Sequence, residues 1–202
     1  DDLSRGLGDV YKRQGTIDID GSVITYTDFE PITDTLPADT RTFNITHAGG
    51  HTIRLTDDTA MAGHSLIDSN GLGQFESVSF VNPTVSLTVT GSADADTFIV
   101  EPLDPGFSVP SGSYVINTGG GANTLDASTS TQNLVINGGA DGETLIGGLG
   151  DDTIDGGDGA DDISGGAGAD NLTGGSDSSN DTIGGLSLIH IRRCRRSSPC
   201  RS

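Results

Sequence analysis

The sequence is poor in basic residues, cysteine and tryptophan. Of its 202 residues only 10 are Lys or Arg, against 29 Asp or Glu, and it contains two Cys and no Trp. Eight of the ten basic residues and both cysteines lie within residues 1–14 and 186–202. Residues 15–185 therefore hold two arginines and 26 acidic residues, a net charge of −24. This charge argues against binding to nucleic acid or an anionic membrane and suits a protein that meets divalent cations. With no cysteine in 15–185 we expect no disulfide framework there.

Long apolar runs and enzyme motifs are also lacking. No apolar stretch approaches the ~18 residues of a membrane-spanning helix, so we expect no transmembrane segment. The sequence has no G-x-S-x-G elbow, no P-loop and no dinucleotide fingerprint, and we expect no catalytic site in it. The carboxylate pairs Asp18/Asp20 and Asp57/Asp58 are of a kind expected by chance in so acidic a chain.

Three histidines were considered as zinc ligands. His47 and His51 are four residues apart, the spacing of a zinc-binding pair on a helix. Gly49 and Gly50 lie between them and argue against a helix. We therefore expect these two residues and His64 to be surface histidines in turns.

The two ends of the chain are related through DNA. Residues 9–14, Asp-Val-Tyr-Lys-Arg-Gln, can be encoded by GAT GTG TAT AAG AGA CAG, whose reverse complement encodes Leu-Ser-Leu-Ile-His-Ile, the sequence of residues 186–191. The DNA word resembles the transposase-end adapter used in preparing sequencing libraries. We interpret residues 1–14 and 186–202 as translated adapter that is disordered and adds nothing to the fold. The alternative is a genuine basic tail that binds nucleic acid.

From residue 15 onward the pattern is one of strands and turns, without a helical period. Strands are predicted over residues 16–20, 23–26, 42–46, 52–56, 75–81 and 85–90, and residues 27–40 are predicted to form a loop. Gly, Pro, Asn and Asp separate these segments. The sequence therefore predicts an all-β chain.

Residues 147–173 carry one nine-residue pattern three times in register: GGLGDDTID, GGDGADDIS and GGAGADNLT. Each copy reads G-G-x-G-x-D-x-U-x, where U is a large apolar residue. The glycines allow a tight turn whose carbonyls can point inward as oxygen ligands, and the sixth residue adds a carboxylate. The eighth residue gives a short strand one apolar side chain for a narrow core. Oxygen ligands at a flexible turn suit Ca²⁺ better than Zn²⁺ or copper.

Imperfect copies flank this trio on both sides. Residues 138–146 have Glu143 in the sixth position, and residues 174–183 are one residue too long, with Asp181 as the equivalent acid. Two earlier copies are more degenerate and place Asp96 and Asn123 in the sixth position. The repeat therefore becomes more regular toward the C-terminus.

The trio resembles the calcium-binding nonapeptide repeat of RTX (hemolysin-type) proteins, which forms a parallel β-helix, or β-roll. The resemblance implies that two repeats make one coil, so that every second repeat stacks and shares a Ca²⁺ ion. Asp152 would then lie above Asp170, and Asp161 would be stacked toward Glu143 and Asp181. Two carboxylates ~4.8 Å apart repel by roughly 3 kcal/mol at an effective dielectric constant of ~20. Calcium binding and folding should therefore be coupled.

The expected calcium ligands are the sixth-position acids and the glycines of the second and fourth positions. These residues are Asp152, Asp161, Asp170, Glu143, Asp181, Gly148, Gly150, Gly157, Gly159, Gly166 and Gly168.

Residues 15–117 resemble, more loosely, modules of very large bacterial surface proteins, through residues 26–32 and 80–89. We expect an irregular β-solenoid or β-sandwich-like module over 15–137, followed by a calcium-filled β-roll over 138–185. The chain would be a non-catalytic segment of a larger secreted or surface-exposed bacterial protein, an adhesin with a cell-surface or polysaccharide ligand.

Two other interpretations remain open. The repeats could accompany a secreted metalloprotease, lipase or polysaccharide-modifying enzyme whose catalytic domain lies outside this segment. Residues 138–185 could also be a disordered acidic linker, since 16 of their 48 residues are Gly and 11 are acidic. The nine-residue spacing of the apolar position argues against a linker.

Overall fold

The computed structural model describes residues 15–19, 22–26, 32–46, 48–72, 77–177, 179–185, 190–195 and 198–201. Residues 1–14, interpreted above as adapter, and His47 lie outside the described residues. All regular elements of the described part are β-strands, which confirms the predicted all-β class. The described part contains no helix long and apolar enough to cross a membrane.

The strands are β1 (Gly15–Ile19), β2 (Ser22–Tyr26), β3 (Ile32–Asp34), β4 (Thr40–Asn44), β5 (Thr52–Asp57), β6 (His64–Asp68), β7 (Val78–Val81), β8 (Ser86–Thr90), β9 (Thr97–Val100), β10 (Tyr114–Asn117), β11 (Thr124–Asp126), β12 (Val135–Asn137), β13 (Thr144–Ile146), β14 (Thr153–Asp155), β15 (Asp162–Ser164), β16 (Asn171–Thr173), β17 (Thr182–Gly184), β18 (His190–Arg195) and β19 (Ser198–Arg201).

From β8 onward, consecutive strands alternate between two parallel sheets. One sheet contains β8, β10, β12, β14 and β16 as successive neighbours, and the other contains β9, β11, β13, β15 and β17. In the repeat region the partners lie 18 residues apart, so Ile136 faces Ile154 and Ile154 faces Leu172. Two nonapeptides therefore form one coil, as the resemblance implies.

The first strands belong to the same two sheets but are less regular. β4 and β5 start the parallel ladders by pairing with β8 and β9. β1, β2, β6 and β7 add antiparallel pairs, and β3 pairs in parallel with β7. Both sheets thus run without a break from this irregular part into the repeats, which makes the chain a continuous solenoid.

The core changes in character along the solenoid. Each three-residue strand of the repeats buries one central apolar side chain between exposed or half-buried neighbours: Leu145, Ile154, Ile163 and Leu172. The earlier coils instead contain aromatic pairs, with ring centroids 4.9 Å apart for Phe43 and Phe80 and 5.4 Å apart for Phe107 and Tyr114. Aromatic side chains bury far more apolar area per residue, so most of the hydrophobic stabilisation lies before residue 138.

Both arginines of residues 15–185 are used in this first part. Arg41 is fully buried, pairs with Asp34 and donates its Nε–H to the carbonyl of Val81 over 2.8 Å. Arg54 forms a two-pronged ion pair with Asp68, with N–O distances of 3.0 and 2.6 Å. The acidic repeats therefore contain no arginine or lysine of their own.

Several strands were not predicted. Residues 27–40 were predicted as a loop but include β3, and β6, β10 and β12 were missed. The prediction of surface-turn histidines was wrong for two residues, because His64 lies in β6 and His51 is buried, with its Nδ1 3.4 Å from Asp96 Oδ1. Polar residues fill the outward positions of β6 while Ser65 and Ile67 are buried, so its alternation is hard to see in the sequence.

The described part of residues 186–202 differs from the expected disorder. β18 pairs in parallel with β16, and β19 pairs antiparallel with β18. Without them β16 would leave a row of backbone N–H and C=O groups unpaired, and such an edge accepts extended segments of varied sequence. The pairing therefore does not bear on the DNA-based interpretation of this tail, which stays a prediction.

Candidate metal centre

The turns of the repeats bring backbone carbonyls from neighbouring coils together. In the second and third perfect copies the second and fourth glycines have positive φ angles: Gly157 (94°), Gly159 (112°), Gly166 (90°) and Gly168 (119°). A Cβ on Gly166 or Gly168 would overlap the carbonyl oxygen of Gly148 or Gly150, one coil earlier. The carbonyls of these two positions thus face the following coil, and only glycine combines this φ with this close approach.

The first glycine of each repeat is required for a different reason, which is space beside the carboxylate. Gly156 and Gly165 do not have positive φ, but a Cβ on Gly156 would overlap Oδ2 of Asp161, and one on Gly165 would overlap Oδ2 of Asp170. The sixth-position side chain is therefore folded back against the start of its own turn. This brings its carboxylate close to the turn carbonyls.

The sixth-position acids form two rows, one along each sheet. In the first row the backbone N–H of Asp152 donates to Oδ1 of Asp170 over 3.0 Å. In the second row the N–H of Glu143 donates to Oδ1 of Asp161 over 2.9 Å, and the N–H of Asp161 donates to Oδ1 of Asp181 over 3.3 Å. This is the stacking that the sequence predicts, with Asp152 and Asp161 in different rows.

Three of these acids keep a buried oxygen without a hydrogen-bond partner. The side chains of Glu143, Asp161 and Asp170 are 1–2 % exposed, and Oε1 of Glu143 and Oδ2 of the two aspartates have no donor in the described part of the chain. Both oxygens of Asp152, in contrast, accept a backbone N–H, from Leu134 over 2.8 Å and from Gly148 over 2.7 Å. Buried polar atoms without partners are rare and costly, and here they lie in the rows where the carbonyls gather.

The acids also raise each other's pKa. Burial raises the pKa of Glu143 to about 7, and the charge of Asp161 adds to this. Burial raises the pKa of Asp152 to about 6, with a further contribution from Asp170. Burial and the charge of Asp181 raise the pKa of Asp161 as well. Each ionised carboxylate is thus destabilised by desolvation and by like charge, and a cation would relieve both effects.

The donor set selects the type of cation. Within the described ranges no three His, Cys, Asp or Glu side chains come together in a way that could hold a metal. A cation between two coils would therefore take most of its ligands from backbone carbonyls, such as those of Gly148 and Gly150, together with sixth-position carboxylates. Hard oxygen ligands at an adaptable turn fit Ca²⁺, and the residues present thus suit calcium.

A second row of side-chain oxygens was not foreseen from the sequence. Oδ1 of Asn133 accepts the N–H of Asp151 over 2.9 Å, and Oδ1 of Asp151 accepts the N–H of Ala169 over 2.7 Å. These residues are 18 apart, so the coil period could have indicated them. They stitch the outer side of the turns together, next to the first row of buried acids.

Comparison with protein families agrees with the geometry. Residues 137–172 match the family model described as RTX calcium-binding nonapeptide repeat, in four copies. Four copies of nine residues include the imperfect repeat that contains Glu143 as well as the perfect trio. No curated protein and no solved structure matches the chain. Residues 137–172 are therefore RTX nonapeptide repeats, a type of repeat that binds calcium ions.

Proposed function

We propose that residues 138–185 form a calcium-dependent folding segment in which Ca²⁺ binds between stacked turns. The observation that carries this proposal is the set of three buried carboxylate oxygens without donors, on Glu143, Asp161 and Asp170. They occur in a segment that has no basic side chain and whose turn carbonyls face one another. The ligands are the sixth-position acids and the carbonyls of the second and fourth glycines.

Calcium contributes directly to the free energy of folding in this arrangement. Each coil of the repeats buries only two apolar side chains, such as Ile154 and Ile163, so hydrophobic burial alone stabilises it weakly. Extracellular calcium modules have Kd values of ~10⁻⁴ to 10⁻³ M. At about ten times Kd each site stabilises the folded state by roughly 1.4 kcal/mol, and successive sites add.

The calcium dependence suits a protein that works outside the cell. In a cytosol low in Ca²⁺ the repeats would stay unfolded during export and would fold on meeting extracellular calcium. The continuous solenoid and the looser resemblance of residues 15–117 to surface-protein modules support a structural, non-catalytic segment of a bacterial adhesin. The gene flanking this segment tests that role, because a catalytic domain in the same reading frame would favour an accessory repeat of a secreted enzyme instead.

Two neighbouring aspartates provide a matched test of the calcium sites. Asp161 is buried in the second row, whereas Asp162 is exposed on β15. Asp161→Asn and Asp162→Asn remove the same charge one residue apart. We expect Asp161→Asn to raise the Ca²⁺ midpoint of folding, followed by far-UV circular dichroism, by roughly tenfold, since it removes a ligand from two adjacent coils.

Asp162→Asn should leave the midpoint within about twofold of the wild type, because an exposed charge acts only through a screened field. A far-UV spectrum that is the same in chelator and in ~10 mM Ca²⁺, well above the expected Kd, would contradict the proposal. Equal effects of the two substitutions would contradict the assignment of Asp161 as a ligand.

A further inference from the structure

Asn123 occupies a sixth position but satisfies its turn differently from the acids. It is 2 % exposed, and its Nδ2 donates to the carbonyl of Gly121 over 2.8 Å and to that of Gly120 over 3.2 Å. Its Oδ1 accepts the N–H of Asp96 over 2.7 Å. The amide NH₂ group thus lies among the carbonyls of the turn, where a positively charged ion would be needed if the side chain were a carboxylate.

The surrounding hydrogen bonds fix the orientation of this amide. The N–H of Asp96 requires an acceptor, and the carbonyls of Gly120 and Gly121 require donors. Exchanging the oxygen and nitrogen of Asn123 would place two donors against each other on one side and oxygen against two carbonyl oxygens on the other. The observed orientation is the one that satisfies all four groups.

The preceding sixth-position residue is also satisfied without an ion. Oδ1 of Asp96 accepts the N–H of His51 over 2.7 Å, and Oδ2 accepts the N–H of Ser92 over 2.6 Å. Both carboxylate oxygens therefore have backbone donors. The row changes character after Asn123, since the next two members, Glu143 and Asp161, each keep a buried oxygen without a donor.

The hydrophobic core changes at the same place. Among the described residues, those between 32 and 137 include 19 buried hydrophobic side chains, among them four aromatic rings of Phe and one of Tyr, whereas those between 138 and 185 include four. The first part therefore has both a larger core and satisfied turns. The second part has neither.

We infer that the amide of Asn123 replaces a calcium ion and makes the solenoid calcium-independent up to residue 126, with calcium dependence confined to the coils that follow. This inference rests on the proposed calcium binding of residues 138–185 and adds a fixed boundary to it. The first coils then form a folded end on which the calcium-dependent coils can stack, with β11 and β12 offering the strands that β13 and β14 pair with.

Hydrogen exchange of the full wild-type chain, read by mass spectrometry, tests the boundary. In chelator, peptides covering residues 114–126 should be protected, while peptides covering 144–172 should exchange at least tenfold faster; calcium should protect the second group alone. Equally fast exchange of both groups in chelator would overturn the inference. Protection of 144–172 regardless of calcium would instead contradict the proposed function, so the two failures are distinguishable.

The variant Asn123→Asp tests the role of the amide itself. A carboxylate at this position removes the donors to Gly120 and Gly121 and adds a negative charge, so the turn should acquire a need for Ca²⁺. We expect calorimetric titration to show one additional Ca²⁺ ion per chain, and exchange of 114–126 in chelator to accelerate at least tenfold and to return to the wild-type rate with calcium.

Asn137→Asp is the matched control, because the Nδ2 of Asn137 donates to the side chain of Asn117 over 2.8 Å rather than to turn carbonyls. It should leave the number of bound ions unchanged. An Asn123→Asp protein that neither gains an ion nor loses protection in chelator would overturn the inference. If Asn123→Asp does not fold in either condition, the wild-type exchange pattern of residues 114–126 decides the question.

Discussion

The sixth residue of each repeat has two possible kinds of partner, backbone N–H groups and a cation. Asp152 has both oxygens on backbone N–H groups, whereas Asp161 and Asp170 have one oxygen on an N–H and one without a donor. The same position can therefore build a closed turn or a calcium site. The choice depends on single side chains, as the contrast between Asn123 and Glu143 shows.

The raised pKa values predict that the calcium-free repeats lose stability as pH rises. The pKa of Glu143 is about 7 and that of Asp152 about 6 in the folded chain, above the ordinary values near 4 of the unfolded chain. Between these limits the folded state binds more protons, so the free energy of unfolding falls with increasing pH. In calcium-depleted buffer we expect hydrogen-exchange protection of residues 144–172 to be greater at pH 5 than at pH 7.5, after correction for the intrinsic exchange rate.

Saturating calcium should reverse this trend, because protons and Ca²⁺ then compete for the same oxygens and acid weakens the folded state. The control is Asp152→Asn, which should reduce the pH dependence in calcium-depleted buffer, since one of the titrating groups is gone. Protection that does not change between pH 5 and 7.5 without calcium would show that these carboxylates are not raised in pKa.

At the scale of strands and turns, the coil period determines which acids are coupled. Because partners lie 18 residues apart, Asp152 and Asp170 belong to one row and Asp161 to the other. The double variant Asp152→Ala/Asp170→Ala should therefore be strongly non-additive in calcium affinity, since the loss of one ligand already impairs the shared site. The double variant Asp152→Ala/Asp161→Ala should be close to additive.

Calcium titration of the single and double variants measures both coupling energies. We also expect Asp170→Ala to reduce affinity more than Glu143→Ala, because only the first row joins two perfect turns. Equal coupling in the two pairs, or stronger coupling between Asp152 and Asp161, would argue that calcium is not bound within rows of stacked turns.

The regular repeats could be predicted from the sequence because one frame sets turn, ligand and core together. The nonapeptide places Ile154, Ile163 and Leu172 at the centres of β14, β15 and β16, and the structure buries all three. The strands β10 and β12 lack this frame. Their partners lie 27, 20 and 18 residues apart along the ladder, so loops of different length connect them and no fixed period indicates their positions.

The candidate site was predictable in its residues but not in its hydrogen bonding. Spacing alone indicates that Asp152 stacks on Asp170. It does not indicate which oxygens lack donors, since that depends on how the turn N–H groups of neighbouring coils are shared. It also does not reveal that Asn123 satisfies its own turn, because Asn in the sixth position reads as a weakened ligand rather than as a donor.

At the scale of the whole molecule, the two halves of the solenoid use opposite strategies with one backbone arrangement. The first half holds the two arginines, the aromatic pairs and satisfied turns. The second half concentrates acids around a core one side chain wide per strand. The parallel sheets run through both halves, so a folded first half presents strand edges in the register that the second half requires.

The net charge of −24 over residues 15–185 predicts a strong dependence of calcium binding on ionic strength. The acidic field raises the local concentration of cations, and added salt weakens it as the Debye length falls from about 10 Å at 0.1 M to about 3 Å at 1 M. We therefore expect the Ca²⁺ midpoint of folding to rise several-fold when KCl is increased from ~0.05 to ~0.5 M, measured by circular dichroism at constant pH. Exposed acids supply much of this field without touching the ion, so the triple variant Asp155→Asn/Asp158→Asn/Asp162→Asn should show a smaller salt dependence while binding the same number of ions. A midpoint independent of salt would mean that the buried carboxylates and carbonyls of the turns determine calcium affinity alone.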